Sequence, residues 1–410
     1  MQHDVLTMAP RMVEVDFAYS PLEDLDDRLA QLRHEGHRLV RVTFKGEPAF
    51  LVLQYKDNVE GLSDDRNIPA STEYIREWDT QGATVLKLDG DEHRAHRKVM
   101  EEPFKASEIR RLVDQLLVPL ADELIDAFGN RRALDLQHSF TRLFPFRVMS
   151  RMLGVPAENE DELVPLIGEL VQGSRFQGED GDVEKRRQRC LEAVARANAY
   201  LRPIVEERRR APKDDIISLL LAARIDGEPL DETTLYDYIR FMFPAGADTT
   251  QYALALMLIT ILSDQSLVEE LVQNPAKRAA AVDESLRYAT PAALKERILI
   301  RDALVCGVRL PADSVVLYAL ASGNRDSSVF PEPDVFALDQ RRKPLLSFGI
   351  GAHHCLGVHL AKQEMLVALD RLLDRLPGLR LVGEPPRATG GIVRMVPHVN
   401  VAFDELLPPP

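Results

Sequence analysis

The sequence predicts a mainly α-helical protein with a minor β region, and three observations carry this. From His93 to about Asp264 nearly every segment repeats its apolar residues at helical spacing. Strand-like runs are short and sit near the N-terminus and in the C-terminal third. A content of 45% hydrophobic and 28% charged residues is that of an ordinary globular core. No linker is long enough to force a division, so one domain is expected over residues 1–410, with 1–19 as a short N-terminal extension.

The elements follow in order. LEDLDDRLAQLRHEG has helical spacing and ends at Gly36, a C-cap residue. RLVRVTF and PAFLVLQY read as two strands joined by a KGE turn. Ile68 to Lys87 lacks periodicity and is expected as a long loop. VDQLLVPLADELIDAF and EAVARANAYLRPIVEERR carry i, i+3, i+4 apolar stripes. Between them, the Gly- and charge-rich span Gln172–Asp182 breaks two helices. FMFPAGADTTQYALALMLI is expected as a long buried helix, kinked or widened where Pro244 and Gly246 weaken its ladder. Another helix follows from about Pro275 to Tyr288, then the short strands ALVCGVRL, SVVLYAL, IVRMV and NVAF. The minor sheet is therefore placed at about 38–55, 303–320 and 392–403. A final long helix starts behind Cys355, with Val358, Ala361, Met365, Ala368, Leu369 and Leu372 on one face.

Composition also excludes. A net charge of −14 disfavours nucleic acid as a partner. No apolar run reaches the roughly 18–20 residues that cross a bilayer, so no membrane anchor is expected. The N-terminal residues show no secretory pattern. Three distant cysteines, Cys190, Cys306 and Cys355, argue against a disulfide framework and for a reducing cytoplasm.

LSFGIGAHHCLGVHLA places His353, His354, Cys355 and His359 within seven residues. Zinc needs ligands from two clusters, and the chain has one. A nucleophilic cysteine needs a base; His353 is near in sequence, but no signature of such an enzyme surrounds it. Haem needs a single thiolate, and without a C-x-x-C-H attachment it would be non-covalent haem b. Gly349 and Gly351 would let the backbone pass under a flat macrocycle, and helix-start N–H groups behind Cys355 would keep its sulfur deprotonated. The haem reading leaves His354 and His359 as bystanders.

Phe348-Gly349-x-Gly351-x-His353-x-Cys355-Leu356-Gly357 resembles the haem-binding signature of the cytochrome P450 family, and the resemblance runs from about residue 20 to 402. It implies the P450 fold, with a long central helix over the haem. Cys355 becomes the axial iron ligand, Phe348, Gly349 and Gly357 its flanks, and His353 a propionate partner. Ala245-Gly246-x-Asp248-Thr249-Thr250 is similar to the family's oxygen-binding motif. That likeness makes Thr249 a hydrogen-bond partner of dioxygen and Asp248 a deliverer of protons to it, beside Ala245 and Gly246. Glu284 and Arg287 look like the Glu-x-x-Arg brace of the haem pocket. Two departures stand out: Gln340, beside Arg341, where the family usually has Arg, and Leu345 where it commonly has His. Either Arg341 shifts into the network or the brace is neutral and weaker. Asp91-Glu92-His93 with Arg97, and Arg297, resemble propionate-binding positions; Asn324-Arg325-Asp326 and PEPDVF also fit.

The family's pocket ceiling maps to about Thr80–Leu86, Leu170–Gln177, Met242–Thr249, Ala292–Leu294 and Gly391–Val393, which names Val85, Met242, Ala245, Ala293, Leu294 and Ile392 as lining residues. These are mostly apolar, so a hydrophobic small-molecule substrate is expected. Arg175 in the lid is expected to be solvated. The resemblance implies a monooxygenase using O2, with electrons from NAD(P)H through ferredoxin reductase and ferredoxin, acting as a monomer in the cytoplasm. Arg341-Arg342-Lys343 offers a basic patch for an acidic ferredoxin. A peroxide-driven hydroxylase would typically lack the Asp248-Thr249 pair, and a haem sensor or docking protein would have no use for it.

Overall fold

The computed structural model describes residues 11–19, 21–72, 82, 84–174, 183–339 and 343–410. Packing divides the chain into two compact units. One comprises Met1–Arg76, Asp283–Cys355 and Arg387–Met395; the other comprises Glu77–Val282, Leu356–Pro386 and Val396–Pro410.

The first unit is built on a five-stranded sheet in the order Met12–Asp16, Leu39–Phe44, Glu47–Val52, Val315–Ala319, Leu294–Ile298. Leu39–Phe44 and Glu47–Val52 form a hairpin with Phe44 opposite Glu47. Val315–Ala319 runs parallel to Glu47–Val52 and antiparallel to Leu294–Ile298. Every residue of this inner strand is buried, because its alternating side chains serve two cores. Val315, Leu317 and Ala319 pack with Leu25, Leu29 and Leu32 of the helix Leu25–His34. Val316 and Tyr318 pack with Leu62, Leu310 and Leu346 on the other face. Gly61, in the helix Tyr55–Leu62, leaves room for this: a Cβ there would lie 2.2 Å from the Tyr318 ring.

Four strand expectations are corrected. Met12–Asp16 is no extension; it pairs parallel with Leu39–Phe44, and Val13 and Val15 pack on the core. Leu294–Ile298 was hidden because Lys295, Glu296 and Arg297 erase the apolar alternation of a strand. Residues 303–310 stand outside the main sheet as a separate hairpin, Ala303–Val305 with Val308–Leu310, turning at Cys306 and Gly307. Around 392–396 only isolated bridges form, Ala292 with Val393 and Thr389 with Met395. There the Arg394 guanidinium is buried on the carbonyls of Leu22, Gly390 and Ala388, which fixes the chain without a ladder.

The second unit is helical, with a small sheet of Arg380–Leu381, Asn400–Ala402 and Ala133–Asp135. Asn400–Ala402 thus belongs to this sheet and not to the main one. The Val358–Arg375 helix buries Met365, Ala368, Leu369 and Leu372 along one side, as its stripe requires. Glu232–Leu262 is a continuous helix of 31 residues, long and apolar enough by composition to span a membrane, yet 56% of its most apolar window is buried inside the protein. Its start is capped by Asp231, which accepts from Thr234 N–H at 3.0 Å.

Two buried arginines tie the C-terminal helix down. Arg278 reaches Asp370 at 3.1 Å and Asp374 at 2.8 Å, and Arg375 donates to Asp122 and to the Leu407 carbonyl. Arg208, near the end of Val183–Arg210, does the same elsewhere. Its Nε donates to Asp215, and its Nη2 to the Gly154 carbonyl at 2.7 Å. Asp215 also caps Ile216–Ala222 by accepting from Ser218 N–H at 2.8 Å. Asp215→Ala removes the cap and strands a buried guanidinium, so it should cost about 3–5 kcal/mol. Calorimetry would show this as a lowered Tm, whereas the neighbouring exposed Asp214→Ala should leave Tm nearly unchanged.

Candidate active site

In the first unit the cysteine loop hangs from a buried polar frame. Leu346–Phe348 forms a single 3₁₀ turn whose Leu346 side chain is fully buried in the sheet's second core. Leu346 N–H donates to Asn324 Oδ1 at 2.8 Å. Asn324 Nδ2 donates to Thr290 Oγ1 and to Ser347 Oγ, each at 2.8 Å, and Ser347 Oγ donates to the Leu286 carbonyl at 2.7 Å. Asn324 is fully buried and spends its whole amide on this junction. The sequence placed Asn324 in a matching stretch but held no signal for this role, which depends on contacts distant in sequence.

Beneath that junction lies the Glu284–Arg287 pair. Arg287 Nε donates to Glu284 Oε2 at 2.9 Å and Nη2 to Oε1 at 2.7 Å. Its remaining N–H groups go to the carbonyls of Asn324 (3.2 Å), Pro333 (2.7 Å) and Val335 (2.9 Å). All five guanidinium donors are therefore used. Glu284 Oε1 also accepts from Ala337 N–H at 3.0 Å. Gln340, Arg341 and Arg342 lie outside the described residues, and the brace is saturated among those that are described.

From Phe348 the backbone turns sharply. Gly349 takes φ 69° and ψ −178°, a combination open essentially to glycine alone. Gly351 has φ 83°, and a Cβ there would sit 2.8 Å from the Leu62 carbonyl oxygen. The loop closes with Cys355 N–H donating to the Phe348 carbonyl at 2.9 Å and His354 N–H to the Gly351 carbonyl at 3.1 Å. Cys355 is thereby fixed by its own backbone, partly exposed, two residues before the Gly357 that precedes the Val358–Arg375 helix. His353 lies half-buried in the loop, and His359 is exposed on the helix. Arg297 is buried on the strand Leu294–Ile298, its Nη1 donating to the Glu296 carbonyl at 2.8 Å. Ala293 and Leu294, named by the sequence as pocket-lining residues, are buried in the first core, and Ile392 packs against the same cluster. Leu294 is drawn there by its place in the strand, which turns it and Ile298 toward Leu317.

In the second unit the long helix departs from α geometry at the predicted place. Glu232–Phe243 and Thr249–Leu262 are joined by a π-helical turn, Pro244–Asp248. Side-chain hydroxyls bond back to the turn: Thr249 Oγ1 donates to the Ala245 carbonyl at 3.3 Å and Thr250 Oγ1 to the Gly246 carbonyl at 2.9 Å. The helix is buried nearly throughout, but Ala245 is exposed and Gly246 and Thr249 are half-exposed, so it presents a strip of small residues. Asp248 is buried at 8% exposure, and its Oδ1 accepts from Gln251 Nε2 at 2.8 Å. Met242 and Val85 are buried. His93 and Arg97 are four apart in Gly90–Glu101 and share a face, His93 fully buried and Arg97 half-buried. Burial, and then the Arg97 cation, hold the His93 imidazole below its usual pKa.

Among the described residues no three His, Cys, Asp or Glu side chains stand close enough to hold an ion. Cys190 is buried within its helix, and Cys306 sits in the hairpin turn, where burial raises its thiol pKa. In the first unit a lone thiol on a rigid glycine turn and the basic Arg297 suit haem, which needs one sulfur ligand and cations for its acidic edge.

The chain belongs to the cytochrome P450 family: the cytochrome P450 family model matches residues 17–277 and 278–387. It is therefore a monooxygenase of the haem-thiolate class. It is 31% identical over 344 residues to the mycinamicin IV hydroxylase/epoxidase of Micromonospora griseorubida, covering 82% of this chain and 84% of that one. It is 29% identical over 360 residues to the pentalenic acid synthase of Streptomyces avermitilis, covering 85% and 86%. The solved structure of cytochrome P450 CYP109Q5 from Chondromyces apiculatus superposes with a TM-score of 0.86 at 25% identity, over 97% of this chain and 99% of that one. P450BioI in complex with an acyl carrier protein ligated to hexadec-9Z-enoic acid gives 0.84 at 27% identity, over 93% and 98%.

Glu284→Gln weakens a buried, charge-assisted pair without changing its volume, and about 3–5 kcal/mol should be lost. Urea unfolding would measure the loss, and haem retention after gel filtration should fall in parallel.

Proposed function

We propose that this P450 hydroxylates a hydrophobic small molecule, that Cys355 would hold haem b through its thiolate, and that Asp248 and Thr249 would handle the protons the reaction needs. The observation that carries this reading is the π turn. It puts a buried carboxylate and a half-exposed hydroxyl at consecutive positions, next to the small residues Ala245 and Gly246. A buried acid is costly, and a proton-transfer task accounts for keeping one there.

Haem, when bound through one thiolate, supplies the oxygen and redox chemistry. The protein's own residues do the rest. The Cys355 backbone is pinned to Phe348, which fixes where its sulfur stands. His93, Arg97, Arg297 and His353 bind the two carboxylates at the cofactor's edge. The Thr249 hydroxyl gives its hydrogen to the Ala245 carbonyl at 3.3 Å, a long bond that is readily exchanged for one to a ligand. Asp248, next along the helix, accepts a proton from solvent and gives it up again at its carboxylate. Val85, Met242 and Ala245 form the apolar wall against the substrate, for which a terpenoid, polyketide or fatty acyl compound is the class we favour. Relatives named for mycinamicin IV, pentalenic acid and an acyl carrier protein carrying hexadecenoic acid support that class. Electrons come from NAD(P)H through a ferredoxin reductase and a ferredoxin, which docks on the basic stretch ending in Lys343. The enzyme works as a monomer in the cytoplasm.

The reduced carbon monoxide complex should show a thiolate-type Soret band that Cys355→Ala abolishes; a wild-type protein without that band would overturn the ligand assignment. Thr249→Ala should keep the substrate-induced spin shift while product formation falls by about 10²-fold and reducing equivalents leave as peroxide. Unchanged product yield in Thr249→Ala would remove Thr249 from the mechanism.

A further inference from the structure

Behind Asp248 the second unit holds a row of neutral side chains that the proposed mechanism does not use. Gln137–Thr141 is another π-helical turn. Within it Thr141 Oγ1 donates to Gln137 Oε1. Gln137 Nε2 reaches Gln251 Oε1 at 3.5 Å, and Gln251 Nε2 donates to Asp248 Oδ1 at 2.8 Å. Each amide accepts through its oxygen from the group behind and donates through its nitrogen to the group ahead. The row therefore has one direction, ending on the carboxylate. Thr141 is fully buried and Gln137 is 6% exposed, and in such surroundings aligned hydrogen bonds polarise one another.

We infer that Gln137 and Gln251 are positioning residues for Asp248, orienting its carboxylate through Oδ1. An aspartate carboxylate turns easily about its last torsion, so something must choose which oxygen faces which way. A donor held on Oδ1 opposes protonation of that oxygen and fixes the plane of the group. Side-chain amides neither gain nor lose a proton near neutral pH, so the row orients without conducting, and protons reach Asp248 by another route. This rests on the reading of Asp248 as the proton-handling acid.

Gln251→Met and Gln251→Leu in the haem-loaded enzyme test it, since both keep much of the side chain's bulk while removing the donor. Substrate affinity from spin-state titration should stay as in the wild type, while kcat falls by about tenfold and its solvent isotope effect rises. In infrared difference spectra the Asp248 band, assigned by its loss in Asp248→Asn, should shift in both variants. Thr141→Val, which breaks the far link isosterically, should shift the same band less and in the same direction. Wild-type kcat, isotope effect and band position in the Gln251 variants, with Asp248→Asn impaired, would overturn the positioning role alone. Wild-type turnover in Asp248→Asn would bring down both that role and the reading beneath it.

Discussion

Arg287 is buried with all five of its N–H groups engaged, and the geometry around Cys355 descends from that arrangement. Its bidentate grip on Glu284 neutralises the charge, and its three backbone acceptors gather the segments at Asn324, Pro333 and Val335 around one guanidinium. Asn324, placed by that contact, then holds Leu346 and Ser347, from which the cysteine turn departs. A buried ion pair of this kind is poor value as a source of stability, because desolvation offsets most of the attraction. What it provides is position: a guanidinium has fixed donor directions, so five acceptors cannot drift independently. The apolar side of the same turn, Leu346 in the sheet's core, resists displacement in the remaining direction.

Both chemically important stretches break regular backbone geometry, and each break is stabilised locally. The cysteine turn uses two glycines in conformations or spaces closed to other residues, then returns a hydrogen bond from Cys355 to Phe348. The helix uses Pro244, which has no N–H to donate, and the hydroxyls of Thr249 and Thr250 bond back to the carbonyls of Ala245 and Gly246 in the turn. In both cases an interruption in a rigid element fixes the backbone of the residues at the break.

Much of this was legible in the sequence, and the reason differs by element. Helices such as Val358–Arg375 were visible because amphipathic spacing is a local property. The widened turn was visible because Pro244 and Gly246 act on their own ladder. Met12–Asp16 and Leu294–Ile298 were not, since a strand is defined by a partner outside its own stretch, here 17–29 positions away. The burial of Ala293 and Leu294 was missed for the same cause: once the strand exists, its pleat decides which way Leu294 turns. Glu284 and Arg287 looked like a surface pair by spacing alone, and only the resemblance set them in a buried frame. The amide row from Gln137 to Asp248 left no trace at all, because glutamines 114 positions apart carry no signal of their meeting.

The π turn has a further effect, on phase. One residue beyond the regular repeat rotates everything after Asp248 by roughly 100° relative to an unbroken helix. Met242 and Thr249, seven positions apart, would share a face in a plain helix; here that correspondence is offset. The two halves of the 31-residue helix are therefore decoupled in angle although they are continuous in backbone. Side chains before Pro244 can change size without turning Thr249, whereas deleting a single residue between 244 and 248 would rotate the whole C-terminal half. The helix tolerates variation in identity along its length and almost none in count at its middle.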